Sequence, residues 1–425
     1  MKSFKNYLTI FYLLILVSIS GCGSSGGEST TYTDEPTTAW QEDISYLITK
    51  LRTVHPNVIH SISNQELNQL TDELFDASLV LTEQEIVLEM VKLVSKIGAN
   101  RDGHLQMGYF VSTGYKIIPL KFYLFKDGVH VIQASSEYQH LIGAKLVGIE
   151  GLPMDSIDAL VDSILTQDNE HSKEANRNLV YLVPELLKSL SITQNQSAIS
   201  YDLVPLGSEI SEPVSVTPVA TNNYQLNVTT NLPKSELLEF IKNDEAFWME
   251  HYEDDNVVYI KMNKVTDESS SQSLSQLAAD VLNITENQFV EKVILDLRQN
   301  NGGNNQLVSE IVNFLRSPSI NQTDKLIVFT DRQTFSAAGN LAAEIADLTQ
   351  ATFMGVSPGG AGNQYGDAKR YDLPNSKLAF FIPTRYWEFG DQVNAPLLLP
   401  MNEEVDMTST EYFANEDSLL ARFID

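Results

Sequence analysis

Between residues 292 and 355 the chain repeats one plan: a short apolar run passes through a turn into a segment with helical spacing. Residues 292–297 are an apolar run typical of a buried strand. They lead into Arg298-Gln299-Asn300-Asn301-Gly302-Gly303 and then a helix with Leu307, Val308, Ile311, Val312 and Leu315 on one face. Residues 325–330 read as a second strand, 331–335 as a connection, and 337–348 as a helix with Leu341, Ile345 and Leu348 inward. Residues 351–355 read as a third strand. This succession predicts a βαβαβ unit with parallel strands and right-handed crossovers, and hence the α/β class.

Such a plan also locates a site. In open α/β sheets, ligands bind beyond the carboxyl ends of the strands. Gly302-Gly303 and Ser336 each follow a strand and precede a helix. Backbone N–H groups at a helix start are unpaired and partially positive. A serine hydroxyl beside a bare Gly-Gly turn supplies what acyl transfer needs, a nucleophile and donors for a developing oxyanion. Ser336 is not in a G-x-S-x-G elbow, which disfavours an α/β-hydrolase. On spacing alone, a serine there is more often a plain helix N-cap.

Asp296-Leu297-Arg298-Gln299-Asn300-Asn301-Gly302-Gly303 resembles the D-L-R-x-N-x-G-G signature of the tail-specific, or C-terminal-processing, serine peptidases, a family that includes tricorn. Thr334-Phe335-Ser336-Ala337-Ala338 is similar to that family's nucleophile segment, and Leu373-Pro374-Asn375-Ser376 to its L-P-x-S segment. The resemblance covers roughly residues 40–425. It implies a helical cap, a PDZ-like insert and an α/β core related to the crotonase fold. It implies Ser336 as nucleophile, with the amides of Gly302, Gly303 and Ala337 lining the oxyanion hole. No cofactor and no metal are implied, and the substrate would be a peptide or protein.

The base distinguishes branches of that family. Dyad members carry a lysine in a G-K-G after the nucleophile strand, but this chain has Gly360-Ala361-Gly362. Ala361 cannot accept a proton. Tricorn-like members take a histidine from the N-terminal side, and Asp102-Gly103-His104-Leu105 resembles their D-x-H-T segment. The resemblance therefore implies His104 as general base, with a rate rising through roughly pH 6–7. Lys369 is the only plausible substitute lysine nearby. Asp102, Glu388 or Asp391 would orient His104, and the residues do not choose among them. With two relay positions departing from the pattern, a weak or inactive peptide- or ligand-binding protein is the alternative.

Outside the core, Lys2 and Lys5 precede a short apolar run, and Ile19-Ser20-Gly21-Cys22 resembles a bacterial lipobox. Residues 1–21 then read as a lipoprotein signal peptide, Cys22 as the lipidated residue, and 22–39 as a flexible tether. The expected location is the cell envelope, on the periplasmic or extracellular face of a membrane. Residues 40–98 read as an amphipathic helical domain without chemistry, from Ile44, Leu47, Ile48 and Leu51 and from Ile86, Met90, Leu93 and Ile97. Residues 99–245 read as a β-rich module, and 246–425 as the α/β core. Within the module, residues 143–154 resemble the core of a PDZ domain, with Glu150 at the turn and Ile157, Leu160, Val161 and Ile164 on a following helix. A PDZ groove binds extended peptide by adding a strand to a sheet edge.

Composition excludes other classes. With 28 basic against 56 acidic residues the net charge is −28, which would repel a phosphate backbone, so no nucleic-acid partner is expected. One cysteine allows no intrachain disulfide or thiolate zinc cluster. The seven histidines include no H-E-x-x-H.

Overall fold

Three capped helices begin the part of the chain that the computed structural model describes, residues 38–108, 115–220, 226, 238–242, 244–389 and 396–424. They are α1 (Ala39–Val54), α2 (Asn64–Ala77) and α3 (Glu83–Ile97). The side-chain oxygens of Thr38, Ser63 and Thr82 accept the N–H groups of Gln41, Glu66 and Glu85, satisfying donors that a helix start leaves open. Ile44, Leu47, Ile48 and Leu51 form the buried stripe of α1, as their spacing predicts. The loop from α1 to α2 holds His55 and His60.

An antiparallel sheet follows, in the order β1 (Leu120–Phe125), β2 (Gly128–Ala134), β3 (Lys145–Ile149), β4 (Ile199–Val204), β5 (Glu212–Val216). Between β3 and β4 lie α4 (Met154–Val161) and α5 (Glu170–Val180). Glu150 adopts a left-handed φ of 54° in the turn after β3. One hydrophobic cluster joins Ile44 and Leu47 of α1, Ile86 and Met90 of α3, Leu146 and Ile149 of β3, Ile157 and Val161 of α4, and Tyr201 of β4. Leu373, Phe380 and Ile382, from much later in the chain, enter the same cluster. The helical and β-rich regions therefore share a core, and residues 143–165 contribute buried side chains to it.

The second half is built on a six-stranded sheet. Its order is β6 (Phe247–Tyr252), β7 (Val257–Met262), β8 (Lys292–Asp296), β9 (Leu326–Thr330), β10 (Thr352–Gly355) and a short strand Glu403–Glu404. Strands β7 to β10 are parallel, with Val258 opposite Val293, Leu295 opposite Val328 and Phe329 opposite Met354. The crossovers are α6 (Leu274–Asn287), α7 (Val308–Leu315) and α8 (Ala337–Leu348). The βαβαβ reading covers β8 to β10, and the structure adds β7 and α6 as a further unit.

Apolar contacts on both faces explain why these strands are continuous hydrophobic runs. Val258, Ile260, Leu295 and Val328 pack with residues of α6, α7 and α8. Val257, Tyr259, Ile294 and Phe329 pack instead with Leu419 and Leu420 from the chain's end. Each fully buried aliphatic side chain contributes roughly 1.5–3 kcal/mol, enough in sum to make the sheet a rigid platform. Residues 1–21, the lipobox cysteine Cys22, most of the tether and Asp391 lie outside the described residues. No helix among the described residues is long and apolar enough to cross a membrane.

Candidate active site

Ser336 sits where β9 gives way to α8, and its surroundings are stitched to the end of β8. Thr334 Oγ1 donates to the Leu297 carbonyl at 2.9 Å, and the Phe335 N–H donates to the Asn300 carbonyl at 2.9 Å. These bonds hold Ser336 at φ 54°, ψ −127°, a backbone region that L-residues rarely occupy. The geometry rejects the plain N-cap reading, because the Ser336 side chain makes no cap hydrogen bond to its helix. Its Oγ lies 2.9 Å from His104 Nε2 instead, across 232 residues of sequence.

The glycine turn is fitted against this serine. Gly302 has φ 103°, and a Cβ there would stand 2.6 Å from Ser336 Cβ and 2.8 Å from the Ala337 nitrogen. Gly303 has φ 149°, and a Cβ there would stand 2.1 Å from the Val265 carbonyl oxygen. Only glycine fits either position. One expectation needs correction: the Gly302 N–H already donates to Asn300 Oδ1 at 2.9 Å, so it is not open to an oxyanion. Asn300 is bound in turn, its Nδ2 donating to the Met262 carbonyl at 2.9 Å. The N–H groups of Gly303 and Ala337 have no hydrogen-bond partner among the described residues.

The histidine loop is held by long-range contacts. The Arg101 and Asp102 N–H groups donate to the carbonyls of Asp168 (2.9 Å) and Gln167 (3.0 Å). The Gly103 N–H donates to Asp168 Oδ1 at 2.7 Å. From the other side, the Tyr365 N–H donates to the Arg101 carbonyl at 2.7 Å. The His104 ring stacks on Phe335 with centroids 4.8 Å apart. Burial lowers the His104 pKa from its ordinary 6.5, opposed by Asp102, the Tyr365 backbone and Asp367. Burial therefore favours the neutral, proton-accepting form of the ring.

Of the three expected orienting residues, Asp391 lies outside the described residues, and neither Asp102 nor Glu388 is hydrogen-bonded to His104. Asp102 places Oδ2 3.1 Å from His60 Nε2 and 3.2 Å from His55 Nε2. Glu388 is exposed and makes no hydrogen bond to His104. His104 Nδ1 is buried without a hydrogen bond among the described residues.

Several residues of the site carry no signal in a single sequence. Asp168 is fully buried, and desolvation raises its pKa from 3.8 to about 8 despite the Gly103 and Ala361 N–H groups. Gln364 Nε2 donates to the carbonyls of Ser336 and Ala361 and to Asn340 Oδ1, tying the serine backbone to the segment where a dyad lysine would stand. Ala361 itself is wholly buried. His55 and His60 come from a loop read as free of chemistry.

His55, His60 and Asp102 bring three metal-type donor atoms within 4.8 Å of one another. The hydrogen bonding argues against a cation. His55 Nδ1 accepts the Asn57 N–H at 3.1 Å, so the ring proton sits on Nε2, and a protonated nitrogen cannot ligate a metal.

No family model and no curated protein matches the sequence. Solved structures do. Mature CPAF complexed with lactacystin superposes with a TM-score of 0.60 over 89% of this chain and 95% of that one, at 10% identity. Mature CPAF alone gives 0.60 over 89% and 94%, also at 10% identity. The photosystem II D1 C-terminal processing protease gives 0.42 over 87% and 94%, at 11% identity. At such identity, the likeness to CPAF is one of fold.

Proposed function

We propose that this chain is a serine-type peptidase of the tail-specific, C-terminal-processing kind. The observation that carries the reading is the 2.9 Å contact between Ser336 Oγ and His104 Nε2, made by a serine that does not cap its own helix. The CPAF fold, shared along nearly the whole chain and found in a serine peptidase, supports it.

In this mechanism Ser336 Oγ attacks the peptide carbonyl while His104 Nε2 takes the hydroxyl proton. The oxyanion forms against the free N–H groups of Gly303 and Ala337. His104 then gives its proton to the leaving amine, and water hydrolyses the acyl-Ser336 ester by the same route. Asn300 and Gln364 hold the turn and the serine backbone in place and take no part in proton transfer.

A serine-reactive fluorophosphonate tests the reading. Labelling of the wild type that vanishes in Ser336→Ala supports the enzyme. A folded wild type that remains unlabelled supports the rival, a binding protein on the same scaffold. The lipobox reading makes the protein an envelope lipoprotein anchored through Cys22. Cys22→Ser should then release it from membranes on fractionation, and unchanged retention would reject the anchor.

A further inference from the structure

A base that must become an imidazolium needs a negative partner, and His104 Nδ1 has no carboxylate bonded to it. The acidic side chain with the largest influence on His104 is Asp102, two residues earlier, whose charge favours the protonated ring. Its side chain is fully buried, and Oδ1 has no hydrogen bond among the described residues. A buried carboxylate is held only by its donors. Here those come from the α1–α2 loop: His60 Nε2 in a 3.1 Å hydrogen bond, and His55 Nε2 at 3.2 Å but poorly aligned.

The two rings are fixed for this task. They lie nearly parallel, with centroids 5.6 Å apart, and each packs on Tyr365 at 4.7 and 4.6 Å. Asn57 N–H on His55 Nδ1 sets that ring's tautomer, and Ser61 Oγ contacts His60 Nδ1 at 2.9 Å. Of the other charged groups, Asp367 acts on His104, Asp168 interacts with Asp102, and Arg101 acts on Asp168.

We propose that His60, with His55 beside it, is a positioning residue for the base: its Nε2–H fixes the Asp102 carboxylate, and Asp102 stabilises the His104 imidazolium through space. This deepens the peptidase reading and rests on His104 being its base. It also makes the helical region part of the catalytic machinery, since the donors to Asp102 stand outside the α/β core.

The experiment combines substitutions with two readouts. His60→Phe keeps the ring packing on Tyr365 and removes the donor, whereas His60→Gln keeps an N–H donor. The fluorophosphonate labelling rate should fall roughly tenfold in His60→Phe, the size of one hydrogen bond to a charged group, and His60→Gln should recover most of it. Asp102→Asn should fall further, and adding His60→Phe to it should cost nothing more, because the histidine acts only through the carboxylate. Equal losses in the two His60 variants, or fully additive losses with Asp102→Asn, would overturn the proposal. A wild type that does not label rejects the peptidase reading instead, and the His104 ring titration by NMR then tests the clamp alone. A lower His104 pKa in Asp102→Asn supports it, and an unchanged one overturns it. Thermal stabilisation by zinc that is lost in His60→Phe would also overturn it, in favour of a cation site.

Discussion

Ser336 and His104 meet at 2.9 Å, yet the two sides of that contact are built differently. The serine side is local. The β8 turn, the β9 connection and the start of α8 lie within residues 292–340, and their bonds run between neighbouring crossover units, as with Thr334 to Leu297 and Phe335 to Asn300. The histidine side is assembled from afar. Its loop is held by Gln167, Asp168 and Tyr365, and Asp102 beside it by His55 and His60. A nucleophile on a rigid parallel sheet thus draws most of its geometry from one stretch of chain, with Met262, Val265 and Gln364 as its outside supports, whereas the base requires three regions to dock.

On the serine side the expected effect is large. Gly302→Ala forces a Cβ against Ser336 and the Ala337 nitrogen at positive φ, and either atom must move. Loss of labelling by roughly 10³-fold is expected, the scale of losing an oxyanion donor with the nucleophile displaced. A Gly302→Ala protein that labels normally would show that this turn does not shape the site.

On the histidine side, His104→Ala should lower the labelling rate by roughly 10²–10⁴-fold, the range for general base catalysis. Lys369→Ala should leave it intact, since Lys369 is exposed on the strand Lys369–Asp372, which pairs with Ala379–Ile382 at the edge of a small sheet. The reverse pattern in folded proteins would transfer the base to the lysine. Gly103→Ala sharpens the contrast with Gly302. Its Cβ would meet the Phe335 ring at 3.0 Å and Asp168 Oδ1 at 3.2 Å, contacts that side chains can relieve. A loss nearer tenfold is expected, the scale of a small misplacement rather than a removed group.

The pH profile follows from burial. Because the His104 pKa is lowered from 6.5, the acid limb of the labelling rate should fall below that value. A limb at or above pH 7 would mean that the charges of Asp102 and Asp367 outweigh burial, or that another group is the base.

A separate effect is on stability. Asp168 ordinarily titrates at 3.8, and in the folded protein at about 8. Between those values the folded state keeps a proton that the unfolded state has released. Stability should therefore fall as pH rises from about 4 to 8 and level off above. Asp168→Asn should flatten that slope in thermal melts while still accepting the Gly103 N–H. An unchanged slope would show that Asp168 is ionised in the fold.

The sequence alone determined the serine side because its signals are local. Apolar runs at residues 292–297 and 325–330 require burial on both faces, helical spacing at 337–348 requires a crossover, and glycines at 302 and 303 permit backbone that other residues cannot adopt. It did not show that Asn300 occupies the Gly302 N–H, since that depends on a side-chain rotamer. Nor did it find α6, whose buried positions Leu274, Leu277 and Val281 are few and set among polar residues. The motif around Asp102 and His104 pointed to the base but not to its supports. His55 and His60 look like unremarkable residues at a helix end, and Asp168 like a solvated acid before α5. Only the tertiary structure decides otherwise: a carboxylate's role depends on which donors surround it and how far water is excluded, and both are set by segments that meet only when the chain has folded.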